Sequence, residues 1–245
     1  MTRWGKPEGP YDDAKVYYIH RAQTSSLELR NSKIALDSSV ALFHAVEIDI
    51  SFSQDLIPYV SHGDDLDDLT GHAIEDINKL TSKKIDALET RDGGRLLSFE
   101  RFCHDYLPRF RALLLDVKTN HDELNKKASI FSTLIPRNMS HKITVLSLSG
   151  SFLTTLKHIR PDLSLACESF SPTANWLAGF TAVSQNIYVI NTHRDIIARW
   201  LGLSRIYWTA HNEAEARRIR SFGPDGIIVH MGGTNPPTLP IKAKR

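Results

Sequence analysis

Two carboxylates stand two residues apart in an apolar stretch of the chain. Glu47 and Asp49 occupy alternate positions within residues 46–51, and the positions flanking them are Val or Ile. This is the period-two pattern of a β-strand, so both carboxylates point to the same side. Like charges held together there repel each other unless a cation lies between them, and Mg²⁺ and Ca²⁺ prefer oxygen ligands. The pattern fits a metal site, although a solvated face of an amphipathic strand has the same pattern.

Further polar residues follow other short apolar runs. His20 and Arg21 end the first run, His62 ends a later one, and Asp116 and Lys118 again stand two residues apart. With the first pair they supply three carboxylates, which can hold one Mg²⁺ or Ca²⁺. Two imidazoles can act as general base and general acid, and a lysine and an arginine can neutralise phosphate oxygens. The set therefore indicates displacement at phosphorus assisted by one metal ion.

Each of these residues also has an ordinary structural interpretation. His20 follows four apolar residues and could be a core histidine, and Asp116 and Lys118 could form an internal ion pair. Trp208, at the end of a later apolar run, is more often a core aromatic than a surface for substrate. The acidic residues 64–68 lack the glycine and terminal glutamate of a calcium loop, which favours a solvated loop.

The elements that would position these side chains alternate along the chain. Eight strand–helix units in about 250 residues are typical of a (β/α)₈ TIM barrel, with a doubly wound open sheet as the alternative. The expected strands are 16–20, 46–52, 112–118, 143–148, 163–168, 187–190, 205–209 and 226–230, with a short hairpin strand ending at 62. The expected helices are 31–45, 74–88, 98–106, 122–134, 151–159, 175–183, 195–201 and 213–222, and residues 63–72 are expected to form a loop. In a barrel, polar residues at the carboxyl ends of strands meet at one face.

The composition is that of an ordinary globular protein. The chain has 245 residues, 41% hydrophobic and 24% charged, with a net charge of +2. This balance argues against nucleic acid as a partner. Cys103 and Cys167 stand far apart in apolar surroundings, which favours two free thiols in a reducing compartment. No stretch resembles a membrane span or a secretory signal, so we expect a cytoplasmic protein.

The motifs also stand in a familiar order. They are His20-Arg21, Glu47-Ile48-Asp49, His62, Asp116-Val117-Lys118, Trp208-Thr209-Ala210 and Gly223-Pro224-Asp225-Gly226-Ile227-Ile228. This ordered set resembles the glycerophosphodiester phosphodiesterase superfamily over most of the chain. The resemblance implies a barrel in which His20 and His62 are the acid/base pair. It also implies that Glu47, Asp49 and Asp116 bind one divalent cation, Mg²⁺ or Ca²⁺, and that Arg21, Lys118 and Trp208 contact the substrate.

Several positions depart from that family's pattern. Ala22 replaces the usual glycine, Gly63 replaces an aspartate, Asp116 replaces a glutamate, and a usual Glu-Asn pair is missing. Residues 47–52, 62–63 and 115–119 instead resemble the sphingomyelinase D-like phospholipases. Those toxins are secreted and disulfide-bonded, which this sequence does not indicate. A phosphodiester other than theirs, such as a sugar phosphodiester, suits the mixture better.

We therefore expect one phosphodiesterase barrel domain over residues 1–245, with irregular ends at 1–14 and 236–245. The expected activity is metal-dependent hydrolysis of a small or lipid-derived phosphodiester to an alcohol and a phosphomonoester, through a cyclic phosphate formed by a neighbouring hydroxyl. The alternatives are a sphingomyelinase D-like lyase or sugar-phosphodiester phosphotransferase, and an inactive phosphodiester-binding barrel. His193, Arg194 and His211 also stand near expected strand ends and are further candidates for the substrate site.

Overall fold

The computed structural model describes residues 16–63, 65–73, 76–120 and 122–239. Its strands are β1 (Val16–Ile19), β2 (Ala45–Phe52), β3 (Pro58–Val60), β4 (Ala112–Val117), β5 (Ile143–Ser147), β6 (Ser164–Cys167), β7 (Ala182–Asn186), β8 (Ser204–Ala210) and β9 (Gly226–Val229). Its α-helices are α1 (Lys33–Leu42), α2 (Leu66–Thr70), α3 (Ser82–Ala87), α4 (Phe99–Asp105), α5 (Leu124–Leu134), α6 (Gly150–Ile159), α7 (Pro172–Leu177), α8 (Thr192–Trp200) and α9 (Glu213–Ser221). Short 3₁₀ turns occur at His20–Ala22, Ile77–Lys79, Leu107–Arg109 and Arg137–Lys142.

Eight of these strands form a nearly closed parallel barrel in the order β6-β5-β4-β2-β1-β9-β8-β7. Strand β3 lies outside this order and pairs antiparallel with β2, with Ile50 opposite Val60. The predicted (β/α)₈ barrel with a hairpin strand after its second strand is therefore confirmed. No ladder pairing between β6 and β7 is found in the described chain. Side chains bridge this seam instead: Ser164 Oγ lies 2.9 Å from Thr181 Oγ1, and Ser184 Oγ donates to Glu168 Oε1 at 3.2 Å.

Strand alternation decides which side chains enter the barrel. The interior is filled by a compact apolar cluster that includes Ala45 of β2 and Leu114 of β4. Odd-numbered residues of β2 therefore face inward, and even-numbered residues of β4 do the same. The next inward positions towards the carboxyl ends of these strands carry Glu47, Asp49 and Asp116. The polar residues thus stand on an apolar floor, which holds them at the barrel mouth and keeps water from entering below them.

The strand predicted at 187–190 is wrong. Strand β7 precedes that segment, and the helix predicted at 175–183 is the shorter α7, capped by Ser171. Ser184 and Asn186 of β7 face the polar barrel mouth. The sequence of this strand therefore lacks the apolar run that is typical of a buried strand. The apolar residues that follow form a turn in which Ile187 and Ile190 are buried while Tyr188 is exposed.

Smaller differences occur before the third barrel strand and at the ends of the chain. The predicted loop at 63–72 contains α2, whose Leu66 belongs to an apolar cluster with Tyr59 and Ile85. The helix predicted over 74–88 is reduced to a 3₁₀ turn and α3. Of the irregular ends predicted at 1–14 and 236–245, residues 1–14 and 240–245 lie outside the described residues, and 236–239 carry no helix or strand. None of the described helices is long and apolar enough to cross a membrane. Both cysteines are buried and free.

Candidate active site

Three carboxylates meet at the carboxyl ends of neighbouring strands β2 and β4. In the parallel register of these strands Asp49 stands beside Asp116, and Glu47 is one inward position lower. Each of the three offers an oxygen within 4.8 Å of the others, and their exposed fractions are 3% for Glu47, 2% for Asp49 and 8% for Asp116. Three buried carboxylates this close need cations to balance them.

Two side-chain cations contact this cluster. Lys118 Nζ lies 2.5 Å from Asp116 Oδ2 and 3.3 Å from Asp49 Oδ1. Arg21 Nε lies 2.9 Å from Asp49 Oδ2, and the Arg21 backbone N–H donates to Glu47 Oε2 at 2.8 Å. Both cations therefore contact Asp49, whereas Glu47 accepts a hydrogen bond from the Arg21 backbone and has no ion-pair contact with either cation in the described structure.

The pKa values of the three carboxyls separate accordingly. Burial, reinforced by the charges of Asp49 and Asp116, raises the pKa of Glu47 well above its usual range. Burial also raises the pKa of Asp116, although Lys118 opposes the shift. Burial acts in the same direction on Asp49, but Lys118 and Arg21 outweigh it and hold its pKa below the usual value.

The cluster is suited to a divalent cation. Its carboxylates outnumber the two contacting side-chain cations, and Asp116 Oδ1 is buried without a hydrogen-bond partner in the described structure. A hard divalent ion with oxygen ligands would supply the missing positive charge and occupy that oxygen. Glu47, Asp49 and Asp116 are therefore the residues that could hold such an ion.

A tight turn after β1 brings Arg21 to the carboxylates. Arg21 and Ala22 both adopt left-handed backbone conformations, with φ of 53° and 57°. Such values cost free energy for residues other than glycine, so the surrounding contacts must hold the turn. Ser39 Oγ of α1 donates to the Ala22 carbonyl at 2.7 Å. Ala22 thus adopts the conformation for which the family resemblance would place a glycine.

Asn31 is a residue of this site that the sequence did not reveal. Its Nδ2 donates to Asp49 Oδ2 at 3.0 Å, and its Oδ1 accepts the Asp49 backbone N–H at 3.3 Å. The paired bonds fix both the strand and the side-chain rotamer of Asp49. Asn31 precedes α1 and stands 18 residues before Asp49 of β2. Its position just before the helix cap was the only sequence signal for it.

The two predicted histidines lie on the same cavity. His20 Nε2 is 4.0 Å from Glu47 Oε2, and about a fifth of its side chain is exposed (21%). Burial lowers the pKa of His20 to about 3, although Asp49 opposes the shift, so its imidazole is neutral near pH 7. His62 Nδ1 lies 3.8 Å from Asp65 Oδ1, and Asp65 also pairs with Arg21. The predicted solvated acidic loop therefore contributes one carboxylate to the site, two residues after Gly63.

A cavity of about 380 Å³ at the barrel mouth collects the predicted site residues. They are His20, Arg21, Glu47, Asp49, His62, Asp116, Lys118 and Trp208, with His211 also on its wall. His193 and Arg194, the other two candidates, lie in the first turn of α8 and are not among the residues that line this cavity. Of the eleven side chains proposed from sequence, the fold thus brings nine to one place.

Trp208 and Glu168 also line the cavity. Trp208 Nε1 donates to Ser184 Oγ at 2.7 Å, and Ser184 in turn donates to Glu168 Oε1. Burial and the charge of Asp116 raise the pKa of Glu168 to about 8. Trp208 packs on the apolar floor and also lines the cavity, so both interpretations of this residue hold geometrically. Glu168 was missed, although it ends a predicted strand in the same way as Asp116.

His230 is a fourth imidazole at the site, beside His20 and His211. Its ring centroid lies 5.7 Å from that of His20 and 5.3 Å from that of His211. Burial, together with the charge of Arg30, lowers the pKa of His230. Its position directly after β9 was the only sequence signal available.

The comparisons with known proteins found matches for the fold but none for the sequence. No family model and no curated protein matches the sequence, whereas 41 solved chains match the fold. A glycerophosphodiester phosphodiesterase from Parabacteroides distasonis ATCC 8503 has a TM-score of 0.75 and 18% identity, over 89% of this chain and 93% of that one. One from Agrobacterium tumefaciens str. C58 has a TM-score of 0.70 and 18% identity, over 87% and 95%.

A third solved structure holds a ligand. It is a phosphodiesterase from Oleispira antarctica in complex with the product sn-glycerol-3-phosphate, with a TM-score of 0.76 and 15% identity over 87% of this chain and 92% of that one. Likeness at these identities is likeness of fold. The chain therefore has a (β/α)₈ barrel fold similar to that of these phosphodiesterases.

Proposed function

We propose that the chain is a metal-dependent phosphodiester hydrolase of the glycerophosphodiester phosphodiesterase type, which releases an alcohol and a phosphomonoester. The observation that carries this proposal is the convergence of three buried carboxylates, two histidines, Lys118 and Arg21 on one cavity. The shared fold supports it, and so does the glycerol phosphate bound by the Oleispira antarctica protein. A small phosphodiester is thus the expected substrate.

One divalent cation, Mg²⁺ or Ca²⁺, would be held by Glu47, Asp49 and Asp116. The close approach of their oxygens and the unpartnered Asp116 Oδ1 support this assignment. When bound, such an ion withdraws charge from the non-bridging phosphate oxygens and makes phosphorus easier to attack. Lys118 and Arg21 line the same cavity and would add positive charge around those oxygens.

The two histidines divide the proton transfers. The neutral His20 imidazole can accept a proton from a substrate hydroxyl next to phosphorus, and His62 can give one to the leaving alcohol oxygen. The attacking oxygen forms a bond to phosphorus while the bond to the leaving oxygen breaks. The product is a cyclic phosphate, which water opens to the phosphomonoester. Asn31 fixes Asp49, and Asp65 fixes Arg21, so the charged groups are positioned before substrate arrives.

Phosphorus NMR tests this function directly. The purified protein is incubated with Mg²⁺ or Ca²⁺ and a panel of glycerophosphodiesters, lysophospholipids and sugar phosphodiesters. We expect a phosphomonoester signal that EDTA abolishes reversibly, and that is lost in His20→Ala and His62→Ala variants that remain folded. A persistent cyclic phosphate would identify a lyase instead. Binding without turnover across the panel would identify an inactive barrel, and full activity of both histidine variants would refute the proposal.

A further inference from the structure

A second cavity of about 390 Å³ opens beside the first. The two cavities share His62, Lys118 and Leu148 as walls, so Lys118 stands between them. The second one, called the side cavity here, is formed by the end of β2, the segment after β4 and the first turn of α5. A substrate whose phosphodiester lies against Lys118 could therefore extend into it.

Lys127 is the unusual residue of the side cavity. It lies in the first turn of α5 and is only 4% exposed. Its Nζ donates to Asn120 Oδ1 and lies 5.8 Å from the centre of the Phe52 ring. In the part of the chain that the structure describes, no carboxylate lies within ion-pair distance of it. Burial lowers the pKa of Lys127, against the opposing charges of Asp122 and Glu123.

Other buried cations in this protein are neutralised directly. Arg160 Nη2 lies 2.8 Å from Asp162 Oδ2, and Arg205 Nη1 lies 2.9 Å from Asp195 Oδ1. A buried charge without such a partner destabilises a protein unless something else supplies the counter-charge. One amide oxygen and the face of Phe52 satisfy Lys127 only in part, because an ammonium has three N–H donors.

A second unsatisfied group faces the same space. Thr119 lines the side cavity, and its Oγ1 is buried without a hydrogen-bond partner among the described residues. The carboxylate on this wall is that of Asp76, which already accepts hydrogen bonds from the backbone and side-chain nitrogens of Asn78 at 3.1 and 2.7 Å. The groups in the side cavity that can still donate hydrogen bonds are therefore the Lys127 ammonium and the Thr119 hydroxyl.

We propose that the side cavity binds a second anionic group of the substrate, a carboxylate or a phosphate, through Lys127 and Thr119. The substrate class is then a phosphodiester in which one alcohol carries an additional oxyanion. This inference rests on the proposed function. It goes beyond that function because the reaction at phosphorus requires no such group. Lys127 would be a specificity residue that contacts substrate away from the bond that breaks.

Paired substrates test the inference. Glycerophosphoserine differs from glycerophosphoethanolamine by one carboxylate, and glycerophosphoglycerol can be compared with a derivative phosphorylated on its distal glycerol. Removing one hydrogen bond to a charged group is expected to change kcat/KM by roughly 10- to 100-fold. We expect the native protein to prefer the anionic member of a pair by such a factor, and Lys127→Met to lose that preference. The two pairs show whether carboxylate or phosphate is favoured.

The chain offers a matched control one residue away. Lys126 is exposed and pairs with Glu123, so Lys126→Met should keep the preference of the native protein. A native protein without preference, or a Lys127→Met variant that retains it, would overturn the inference. Lys127→Met should also melt at a higher temperature than the native protein, because it removes a buried unpaired charge. If Lys127→Met has a lower melting temperature and loses kcat/KM equally on both substrates of a pair, Lys127 has a structural role. Lys127→Gln repeats the test if the Met variant does not fold.

Binding measurements keep this inference separate from the catalytic proposal. The His20→Ala variant leaves every wall of the side cavity intact, and it can be titrated calorimetrically with glycerophosphoserine and glycerophosphoethanolamine. Tighter binding of glycerophosphoserine that is lost in the His20→Ala, Lys127→Met double variant supports the side cavity even if no diester is turned over. Equal binding of both compounds, or binding of neither, overturns it even if the protein proves to be a hydrolase.

Discussion

Lys118 Nζ lies 3.3 Å from Asp49 Oδ1, at the centre of the carboxylate cluster. Asp49 is also contacted by Arg21. Glu47 lies on the same face of the strand, but neither cation is within ion-pair distance of its carboxylate in the described structure. The pKa of Asp49 is consequently held low and that of Glu47 is raised by burial and by Asp49. Two neighbouring carboxyls of one strand therefore have opposite effects on stability when no metal is bound.

The first prediction concerns Glu47→Gln in the metal-free protein. A carboxyl whose pKa is raised in the folded state destabilises the fold when it is ionised, and it gains stability only as the pH falls through that raised value. Glu47→Gln should therefore raise the melting temperature in EDTA at neutral pH by several degrees, since 1 kcal/mol corresponds to roughly 2–4 °C for a chain of this size. Thermal melts with and without Mg²⁺ or Ca²⁺ measure the effect.

Asp49→Asn is the matched control for this prediction. The pKa of Asp49 is lowered, so its ionised form stabilises the fold above the unfolded pKa, and that stability is lost as the pH falls through the folded value. Asp49→Asn should therefore lower the melting temperature in EDTA. Both variants should lose the rise in melting temperature that the metal causes. A lower melting temperature of Glu47→Gln in EDTA would contradict the electrostatic assignment.

The second prediction concerns the acid sensitivity caused by His20. Its pKa of about 3 in the fold lies below the ordinary 6.5, so the unfolded chain binds a proton that the folded chain does not. The stability from this group is complete above 6.5 and is lost as the pH falls towards 3, by at most about 1.4 kcal/mol per pH unit. In EDTA, His20→Gln should lose stability less steeply over this range than the native protein.

Denaturant unfolding over that pH series provides the measurement, and His193→Gln is a suitable control because His193 is exposed on α8. The proton NMR signals of the His20 ring should also remain constant from neutral to mildly acidic pH. A His20 signal that titrates near its ordinary pKa, or identical slopes in the native and His20→Gln proteins, would show that burial does not control this imidazole.

The third prediction concerns Lys118→Met. Lys118 balances Asp116 at 2.5 Å and Asp49 at 3.3 Å, so its removal leaves buried carboxylates with less counter-charge. The melting temperature in EDTA should fall, opposite to the effect of Glu47→Gln. Turnover should fall by roughly 10²- to 10³-fold, the usual effect of removing one group that stabilises transition-state charge.

Lys33 offers a matched ion pair on the surface, with its Nζ 2.7 Å from Asp37 Oδ2. Because exposed pairs contribute at most about 1 kcal/mol, Lys33→Met should change stability little and turnover not at all. If Lys118→Met were as active as Lys33→Met, Lys118 would be a structural partner of the carboxylates and not a phosphate ligand.

The sequence predicted the barrel and most of the residues proposed for the candidate site, which line one cavity, because each relevant signal was local. A spacing of two residues on a strand places Glu47 and Asp49 on the same side. The same spacing does this for Asp116 and Lys118. Because the carboxyl ends of barrel strands meet at one face, the two pairs were predicted to lie close together. The registered pairing of Asp49 with Asp116 follows from the same rule.

What the sequence did not reveal depends on contacts between distant residues. Asn31 belongs to the site because it hydrogen-bonds Asp49, and Lys127 is unusual because its Nζ bonds an amide oxygen and no carboxylate of the described chain lies within ion-pair distance. The strand β7 was misplaced because Ser184 is a buried polar residue, whose hydroxyl bonds Glu168 across the seam and Trp208 on the neighbouring strand β8. These partners are distant in sequence, one just after β6 and one in β8, so the local pattern favoured the apolar turn at 187–190 instead.

The fourth prediction concerns the hydrogen bonds from Trp208 through Ser184 to Glu168, which link β8 to the unpaired edge of β6. Trp208→Phe keeps an aromatic ring but removes the donor to Ser184. We expect KM to rise roughly 5- to 10-fold with little change in kcat, since a neutral hydrogen bond contributes about 1 kcal/mol. Ser184→Ala should have a similar effect, and the double variant should show little more than either single variant, because both act on the position of Glu168. Steady-state kinetics and melting temperatures of the native protein, the two single variants and the double variant show whether Trp208 acts on substrate binding or only on stability. If Trp208 only fills the apolar floor, Trp208→Phe will lower the melting temperature and leave KM unchanged.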